Sequence, residues 1–232
     1  MRLGLEFYQQ STEQLAVSLL GTHLVRQLPT GQRLSGRIVE VEAYLSANDP
    51  ASHSVRGPGK KNASMFRAAG TLYVYSIHSR HCLNVVAEAP GQGAAVLIRA
   101  IEPLDGWEQM LRHRRGPMKP TKPATTAQPP ADALDLQTAI GLSSGPGRLC
   151  QALAIDRCHD GLDLVTDGQV WLEAADQDLG RSVARCSPRI GISQARSLPL
   201  RWFLDGHRFV SGLARGHSQG RHWTFESYPR NK

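Results

Sequence analysis

Ile38-Val39-Glu40-Val41-Glu42-Ala43-Tyr44 is a β-rich run that carries two carboxylates and a phenol. In a strand, side chains at i and i+2 share a face, so Glu42 and Tyr44 line one pocket wall. Tyr73-Val74-Tyr75 repeats the pattern and supplies a second wall, and His53 sits in the loop between the two runs. An acid beside stacked rings suits chemistry on a flat heterocycle. On spacing alone, ordinary half-buried strands explain the same residues equally well.

Working outward from this run, residues 23–28 and 34–44 are predicted strands. They are followed by a long, polar, basic loop from Ser46 to Lys61 that contains Pro50, Gly57, Pro58 and Gly59. Residues 71–78 and 82–87 are two β-type runs joined by Ser79-Arg80-His81, the pattern of a hairpin with His78 and Arg80 near its tip. Ala94 to Ile101 is apolar except for Arg99, which predicts a buried strand and an arginine in need of an acceptor. Glu42 is one candidate partner. Ser11-Thr12-Glu13-Gln14 is a capping box for a helix through Leu15, Val17, Leu19 and Leu20, with Gly21 as its stop. Asp105 is expected to cap a helix through Trp107, Met110 and Leu111 that ends at Gly116. Gly145-Pro146-Gly147-Arg148 leads into another, either as a plain helix start or as a phosphate seat. Arg189-Ile190-Gly191-Ile192 and Pro199-Leu200-Arg201-Trp202-Phe203-Leu204 are expected to be buried backbone runs.

The 232 residues suffice for one sizeable domain, expected to span 1–232. Five prolines between Pro117 and Pro130 predict a mobile insertion at 117–131, and 213–232 is expected to be a flexible tail. The 41% hydrophobic and 6% aromatic content suits a globular protein, and no stretch has the ~20 apolar residues of a membrane span. The start, Met1-Arg2-Leu3-Gly4-Leu5-Glu6, lacks the pattern of a secretory signal, so an intracellular location is expected, cytoplasm or nucleoid in a bacterium. Cys82, Cys150, Cys158 and Cys186 form no C-x-x-C or Cys/His ligand box, which predicts reduced thiols and no structural zinc. Lys plus Arg exceeds Asp plus Glu by 27 to 20, a net charge of +7 that favours a polyanionic partner. The basic residues fall in clusters: Arg56, Lys60, Lys61 and Arg67; Arg112, Arg114 and Arg115; Arg181, Arg185, Arg189 and Arg196.

Seven phrases in order then point one way. They are Gly36-Arg37-Ile38-Val39-Glu40-Val41-Glu42-Ala43-Tyr44, Ala51-Ser52-His53-Ser54, Met65-Phe66, Gly70-Thr71-Leu72-Tyr73-Val74-Tyr75, Cys82-Leu83-Asn84-Val85-Val86, Leu97-Ile98-Arg99-Ala100-Ile101-Glu102-Pro103 and Ser144-Gly145-Pro146-Gly147-Arg148-Leu149-Cys150-Gln151-Ala152-Leu153. Together they closely resemble the 3-methyladenine (alkyladenine) DNA glycosylase family, from the first helix to about Gly212. The resemblance implies a mixed α/β (α+β) fold, a curved, largely antiparallel β-sheet with peripheral helices and a projecting β-hairpin. It also implies a monofunctional enzyme that flips alkylated or deaminated purines out of duplex DNA and hydrolyses their N-glycosidic bond. A monomer is expected, with no metal, no cofactor and no membrane.

By the same resemblance, Glu42 matches the general base that activates water, Arg99 the arginine that helps hold it, and the Ile190 carbonyl a backbone acceptor for it. Tyr44, His53 and Tyr75 match the residues that sandwich the extruded base, and cationic alkylated purines suit aromatic faces. Asn84 matches the asparagine that disfavours the exocyclic amine of guanine. His78 falls where relatives usually place a wedge tyrosine, in a turn one residue shorter, with Ser79-Arg80 in place of a glycine. His78 is therefore expected to fill the gap left by the base less well, or Arg80 to share the work through minor-groove contact. Lys60, Lys61 and Arg148 are expected to meet phosphates, and no lysine matches a Schiff-base position.

Three rival readings stand beside this one. A non-catalytic nucleic-acid binding module would make Glu42 structural and bind without releasing a base. A nucleoside hydrolase would use a similar pocket with no need of a hairpin or of the +7 charge. A helix-hairpin-helix glycosylase is suggested only by Gly145-Pro146-Gly147 and calls for a largely helical protein.

Overall fold

The alternation of apolar and polar residues in the central strands decides which face is core and which is site. In the computed structural model, which describes residues 1–116, 135–175, 184–212 and 221–223, the two predicted strands form β1 (His23–Gln27) and β2 (Arg33–Tyr44). The hairpin is β3 (Leu72–Ile77) and β4 (Arg80–Ala87), and the arginine-bearing run is β5 (Ala94–Pro103). β6 (Val170–Glu173), β7 (Ala184–Ser187), β8 (Arg201–Leu204) and β9 (Arg221–Trp223) follow. Every pairing among these strands is antiparallel, in the order β3-β4-β5-β2-β8-β7-β9, with β1 on β2 and β6 on β1. The sheet is curled, as the mixed α/β reading expects. The expected insertion at 117–131 lies outside the described residues, as does the expected tail at 213–232 apart from 221–223.

One face is apolar. Leu72 and Val74 of β3, Leu83 and Val85 of β4, Val96 and Ile98 of β5, and Val41 and Ala43 of β2 are all buried in a single cluster. Leu15, Ala16 and Leu19 of α2 (Thr12–Leu19) and Leu149 and Ala152 of α5 (Pro146–Ala152) complete it. Each large aliphatic side chain so buried contributes roughly 1.5–3 kcal/mol. The intervening residues, Tyr73, Tyr75, Asn84, Leu97, Arg99, Glu42 and Tyr44, take the opposite face.

Strict alternation would put Ile38, Glu40 and Glu42 on one side. It does not hold, because the β2–β5 register shifts on both sides of Glu40. This bulge lets Ile38 and Val41 both join the apolar cluster while Glu40 shares a face with Glu42. At the same level β2 exchanges neighbours, from β1 at residues 33–37 to β8 at residues 40–42.

Three local expectations are corrected. Ser11 does cap α2, accepting from the Gln14 amide at 3.3 Å, but Asp105 caps nothing. The N-cap of α3 (Trp107–Arg115) is Gly106, at φ 73°, where a Cβ would meet the Arg33 carbonyl at 2.7 Å. Asp105 is engaged instead by the Ser35 hydroxyl at 2.6 Å and Arg33 Nε at 3.1 Å. The hairpin turn is only His78-Ser79, with Ile77 paired to Arg80, so Arg80 and His81 belong to β4 rather than to the connection. His78 takes the positive φ, 52°, that such short turns require. Residues 189–192 are not a buried run, for only Arg189 is buried and Ile190 is 39% exposed. Among the described residues no helix is long and apolar enough to cross a membrane.

Gly36 sits in β2 against β5, where an added Cβ would lie 2.7 Å from Ile101 Cδ1 and 2.9 Å from the Glu102 carbonyl. The side chain can swing away; the carbonyl of a paired strand cannot. Gly36→Ala is expected to destabilise the fold by about 1–3 kcal/mol, measured by urea denaturation.

Candidate active site

Cross-strand neighbours point to the same face, and the register lays one continuous row over the site side of the sheet. Tyr73 pairs with Asn84, Asn84 with Leu97, Leu97 with Glu42, Glu42 with Arg201, and Arg201 with Ser187. The row brings together residues that lie more than a hundred positions apart in the chain. Glu42 is at its centre and is fully buried.

Three donors hold the Glu42 carboxylate. The Ile190 amide donates to Oε1 at 2.7 Å, Arg99 Nη1 approaches the same oxygen at 3.1 Å, and the Tyr44 hydroxyl donates to Oε2 at 2.9 Å. Arg99 also donates through Nε to Glu40 Oε1 at 2.9 Å, so one guanidinium bridges two buried carboxylates. Glu40 takes further bonds from Arg201 Nε at 2.6 Å and from the Ser211 amide at 2.6 Å. Burial pushes Glu40 toward protonation, but Arg99, Arg201 and Ser211 outweigh it and hold the acid below the usual carboxylate range. Arg99 is likewise penalised by burial, and Glu42 and Glu40 more than restore its charge. Two carboxylates thus face two guanidiniums. Arg201 completes its own set with the Ser187 hydroxyl at 2.9 Å and the Ser211 carbonyl at 3.2 Å.

The aromatic wall is equally well tied. His53 and Tyr75 meet edge to face with ring centroids 4.6 Å apart, and Tyr73 lies 5.6 Å from Tyr75. Rings this close leave no room for a base between them, so His53 and Tyr75 form one wall rather than two. His53 Nδ1 is 2.9 Å from the Tyr73 hydroxyl, and burial lowers the imidazole's affinity for a proton, which keeps it neutral at pH 7. Burial and the nearby Glu42 push the Tyr44 phenol well up, so it stays a neutral donor. Asn84 is buried, with its side-chain amide donating to the Tyr73 carbonyl at 3.0 Å. Below this wall, a cavity of about 1090 Å³ is lined by His53, Tyr73 and Tyr75, with Arg56, Lys60 and Lys61 among its cations.

A second buried pair anchors the loops that frame Glu42. Asp49 and Arg189 have no exposed side-chain surface and pair through both oxygens, at 2.6 and 2.7 Å. Arg189 also donates to the Ala43 carbonyl at 2.9 Å and lies over the Tyr44 ring at 4.6 Å. Asp49 in turn accepts from the amides of Leu45 and Ala51. The pair therefore ties the start of the His53 loop to the segment that presents the Ile190 amide.

The structure brings Glu42, Arg99, Ile190, Tyr44, His53, Tyr75 and Asn84 to one face. His78, Lys60, Lys61 and Arg148 lie exposed around it. Arg80 turns away from the tip to Gln151. Ile190 enters through its amide nitrogen, a contact that no sequence pattern announced. The expected basic cluster at 181–196 does not form among the described residues, since Arg185 pairs with Asp205 and Arg189 with Asp49. Sequence reasoning missed Glu40, Arg201, Ser211 and Asp49. Glu40 belongs to the same alternating series as Glu42, and Arg201 interrupts an apolar run just as Arg99 does, so both carried a usable signal. The four cysteines are free, as expected. Asp156, Cys158 and His159 do place three potential metal donors together, but hydrogen bonds already join them in a capping box at residues 156–159.

A buried carboxylate with fixed donors thus shares the site face of a curled antiparallel sheet with an aromatic wall, and cations line the cavity at that wall. The chain belongs to the methylpurine-DNA glycosylase family, whose model matches residues 6–208. It is 45% identical over 216 residues to a Rhodopirellula baltica protein provisionally named 3-methyladenine DNA glycosylase, covering 93% of this chain and 85% of that one. It is 41% identical over 219 residues to the human DNA-3-methyladenine glycosylase, covering 92% of this chain and 69% of the human protein.

Removing one member of a buried pair strands the other charge. Asp49→Ala is expected to cost about 3–5 kcal/mol in chemical denaturation, and adding Arg189→Met to recover part of that loss. Equal or greater destabilisation of the double variant would show that the pair is not coupled in this way.

Proposed function

We propose that this DNA glycosylase hydrolyses the N-glycosidic bond of alkylated or deaminated purines in duplex DNA, with Glu42 as the general base for water. The observation that carries the assignment is the state of its carboxylate. Each oxygen has two lone pairs; Oε1 accepts from Ile190 and Arg99, whereas Oε2 accepts only from Tyr44. One acceptor position on Oε2 is left for a water proton. Arg99, with the Ile190 carbonyl, orients that water toward C1′ of the sugar. Acid–base assistance of this kind typically supplies ~10²–10⁴-fold.

The extruded base stacks with Tyr44 on one side and the joined His53–Tyr75 wall on the other. Neutral imidazole and phenol rings attract an electron-poor or cationic purine, and alkylation also makes the base a better leaving group. Asn84, fixed by its bond to the Tyr73 carbonyl, rejects the exocyclic amine of guanine by steric conflict. His78 at the hairpin tip fills the gap in the duplex. Lys60, Lys61, Arg80 and Arg148 meet phosphates, in line with the +7 charge. One copy of the chain suffices, and the product is an abasic site with the strand intact, because no lysine joins the row around Glu42. In a bacterial cell such work lies with the nucleoid.

The binding-module reading predicts that Glu42 matters only to folding. A single-turnover assay of base release decides, using duplexes with hypoxanthine or ethenoadenine and methylated DNA. The wild type is expected to release base, and Glu42→Gln to lose at least ~10²-fold in rate while retaining lesion binding. Tight binding without release by the wild type would establish the rival.

A further inference from the structure

The hairpin divides two cationic clefts. On the β3 side, Ser76 and Ile77 border the large cavity that holds His53 and Tyr75. On the β4 side, Ser79, Arg80 and His81 border a second cleft of about 730 Å³, closed by α3 and α5, in which Arg112, Gly147 and Gln151 also take part. This second cleft contains no aromatic wall and nothing of the Glu42 network.

Arg80, Arg112 and Gln151 line this cleft, and Arg114 adjoins it through Gln151. Arg80 Nη1 donates to Gln151 Oε1 at 2.7 Å, and Arg114 Nη1 donates to the same oxygen at 2.5 Å. Two guanidiniums thus converge on one neutral amide oxygen, where a carboxylate would be the ordinary partner. Burial, and then the charges of Arg80 and Arg148, lower the affinity of Arg114 for its proton, a sign of uncompensated positive charge. Asp156 is the one carboxylate among the lining residues, and its Oδ1 is engaged by the Cys158 amide. Arg80 is also positioned through its stem. A Cβ on Gly147 would lie 3.1 Å from Arg80 Cβ, so the missing side chain lets Arg80 lie across the first turn of α5.

A wedge in a DNA groove has one backbone on each side of it. The large cavity leads to the base-binding wall and so takes the damaged strand. We infer that the cleft lined by Arg80 and Gln151, with Arg114 bonded to Gln151 beside it, is the seat of a phosphodiester of the complementary, undamaged strand. Gln151 holds the two guanidiniums side by side without neutralising them, and a backbone phosphate supplies the missing anion through paired N–H···O bonds. The inference rests on the glycosylase reading for the placement of the damaged strand.

The test is fluorescence anisotropy with a stable tetrahydrofuran abasic analogue in a duplex and in the same strand alone, over a range of salt. Arg114→Gln is expected to reduce the duplex-to-single-strand affinity ratio about tenfold, and the duplex salt slope by about one. Gly147→Ala, which keeps every guanidinium but displaces the Arg80 stem, is expected to lower the same ratio, with thermal unfolding confirming that both variants fold. Neutral methylphosphonates in the complementary strand opposite the lesion should weaken the wild type and leave Arg114→Gln unaffected. An unchanged ratio in Arg114→Gln, a wild-type ratio near one, or a wild type indifferent to the neutral complement would overturn the assignment. A wild type that releases no purine from damaged duplex sinks the proposed reaction instead, and the affinity ratio still decides for the cleft.

Discussion

The site depends on one guanidinium shared between two buried acids. Arg99 reaches Glu40 with Nε and Glu42 with Nη1, and it does so from a strand whose neighbours on both sides are apolar and buried. Such an ion is costly to bury unless its partners are well placed, and here the placement comes from backbone geometry. The bulge in β2 turns Ile38 into the core while Glu40 keeps the face of Glu42, and β8 contributes Arg201 from the other side. Two negative and two positive groups then sit in one dry cluster. Removing any one would leave its partners uncompensated, so the chemistry of Glu42 and the pairing of β2, β5 and β8 cannot be altered separately.

The same principle recurs one layer out. Asp49 and Arg189 join two irregular segments that have no strand ladder to hold them, and each leads directly to a functional group. One segment continues to His53. The other presents the Ile190 amide to Glu42. Because Arg189 also covers the Tyr44 ring, the phenol that donates to Glu42 is braced from behind. The donors around the carboxylate are therefore set before any ligand arrives, and preorganisation of that kind is what makes fixed dipoles effective in a site that excludes water.

Much of this was legible in the sequence, because strands write their burial into alternation. The runs 34–44, 71–78, 82–87 and 94–101 gave the central strands nearly to the residue, and their alternation put Glu42 with Tyr44 on one wall and Tyr73 with Tyr75 on another. An arginine in an apolar run announced its own need for a carboxylate. What alternation cannot convey is a break in its own period, so the bulge that takes Ile38 off the face of Glu40 and Glu42 was invisible. Glu40, read as a strand residue beside Glu42, was left without a role. Irregular segments carry even less signal. Arg189 reads both as one of a basic cluster and as the start of a buried run, and neither reading points to its partner, Asp49, which lies far away in sequence in another loop. Asp105 illustrates the limit of local rules, since Ser35 and Arg33 compete for its oxygens and Gly106 meets the helix start more easily.

The hairpin turn has only two residues, His78 and Ser79, and its shortness has physical consequences. A two-residue turn is stiff and short, and His78 at its tip is smaller than a tyrosine. On the proposed reading, a shorter and smaller plug gains less contact inside a duplex, and more of the work of holding the strands apart falls to groups outside it. Arg80 is well suited to that, because the first residue of β4 lies too far back to enter the stack and is pinned to Gln151 beside Arg114. A pinned arginine loses little rotamer freedom when a phosphate arrives, which favours binding without any new contact at the tip. On this view the wedge and its flanking cations form one device, in which a weaker plug is matched by a more rigid grip on the backbone beside it.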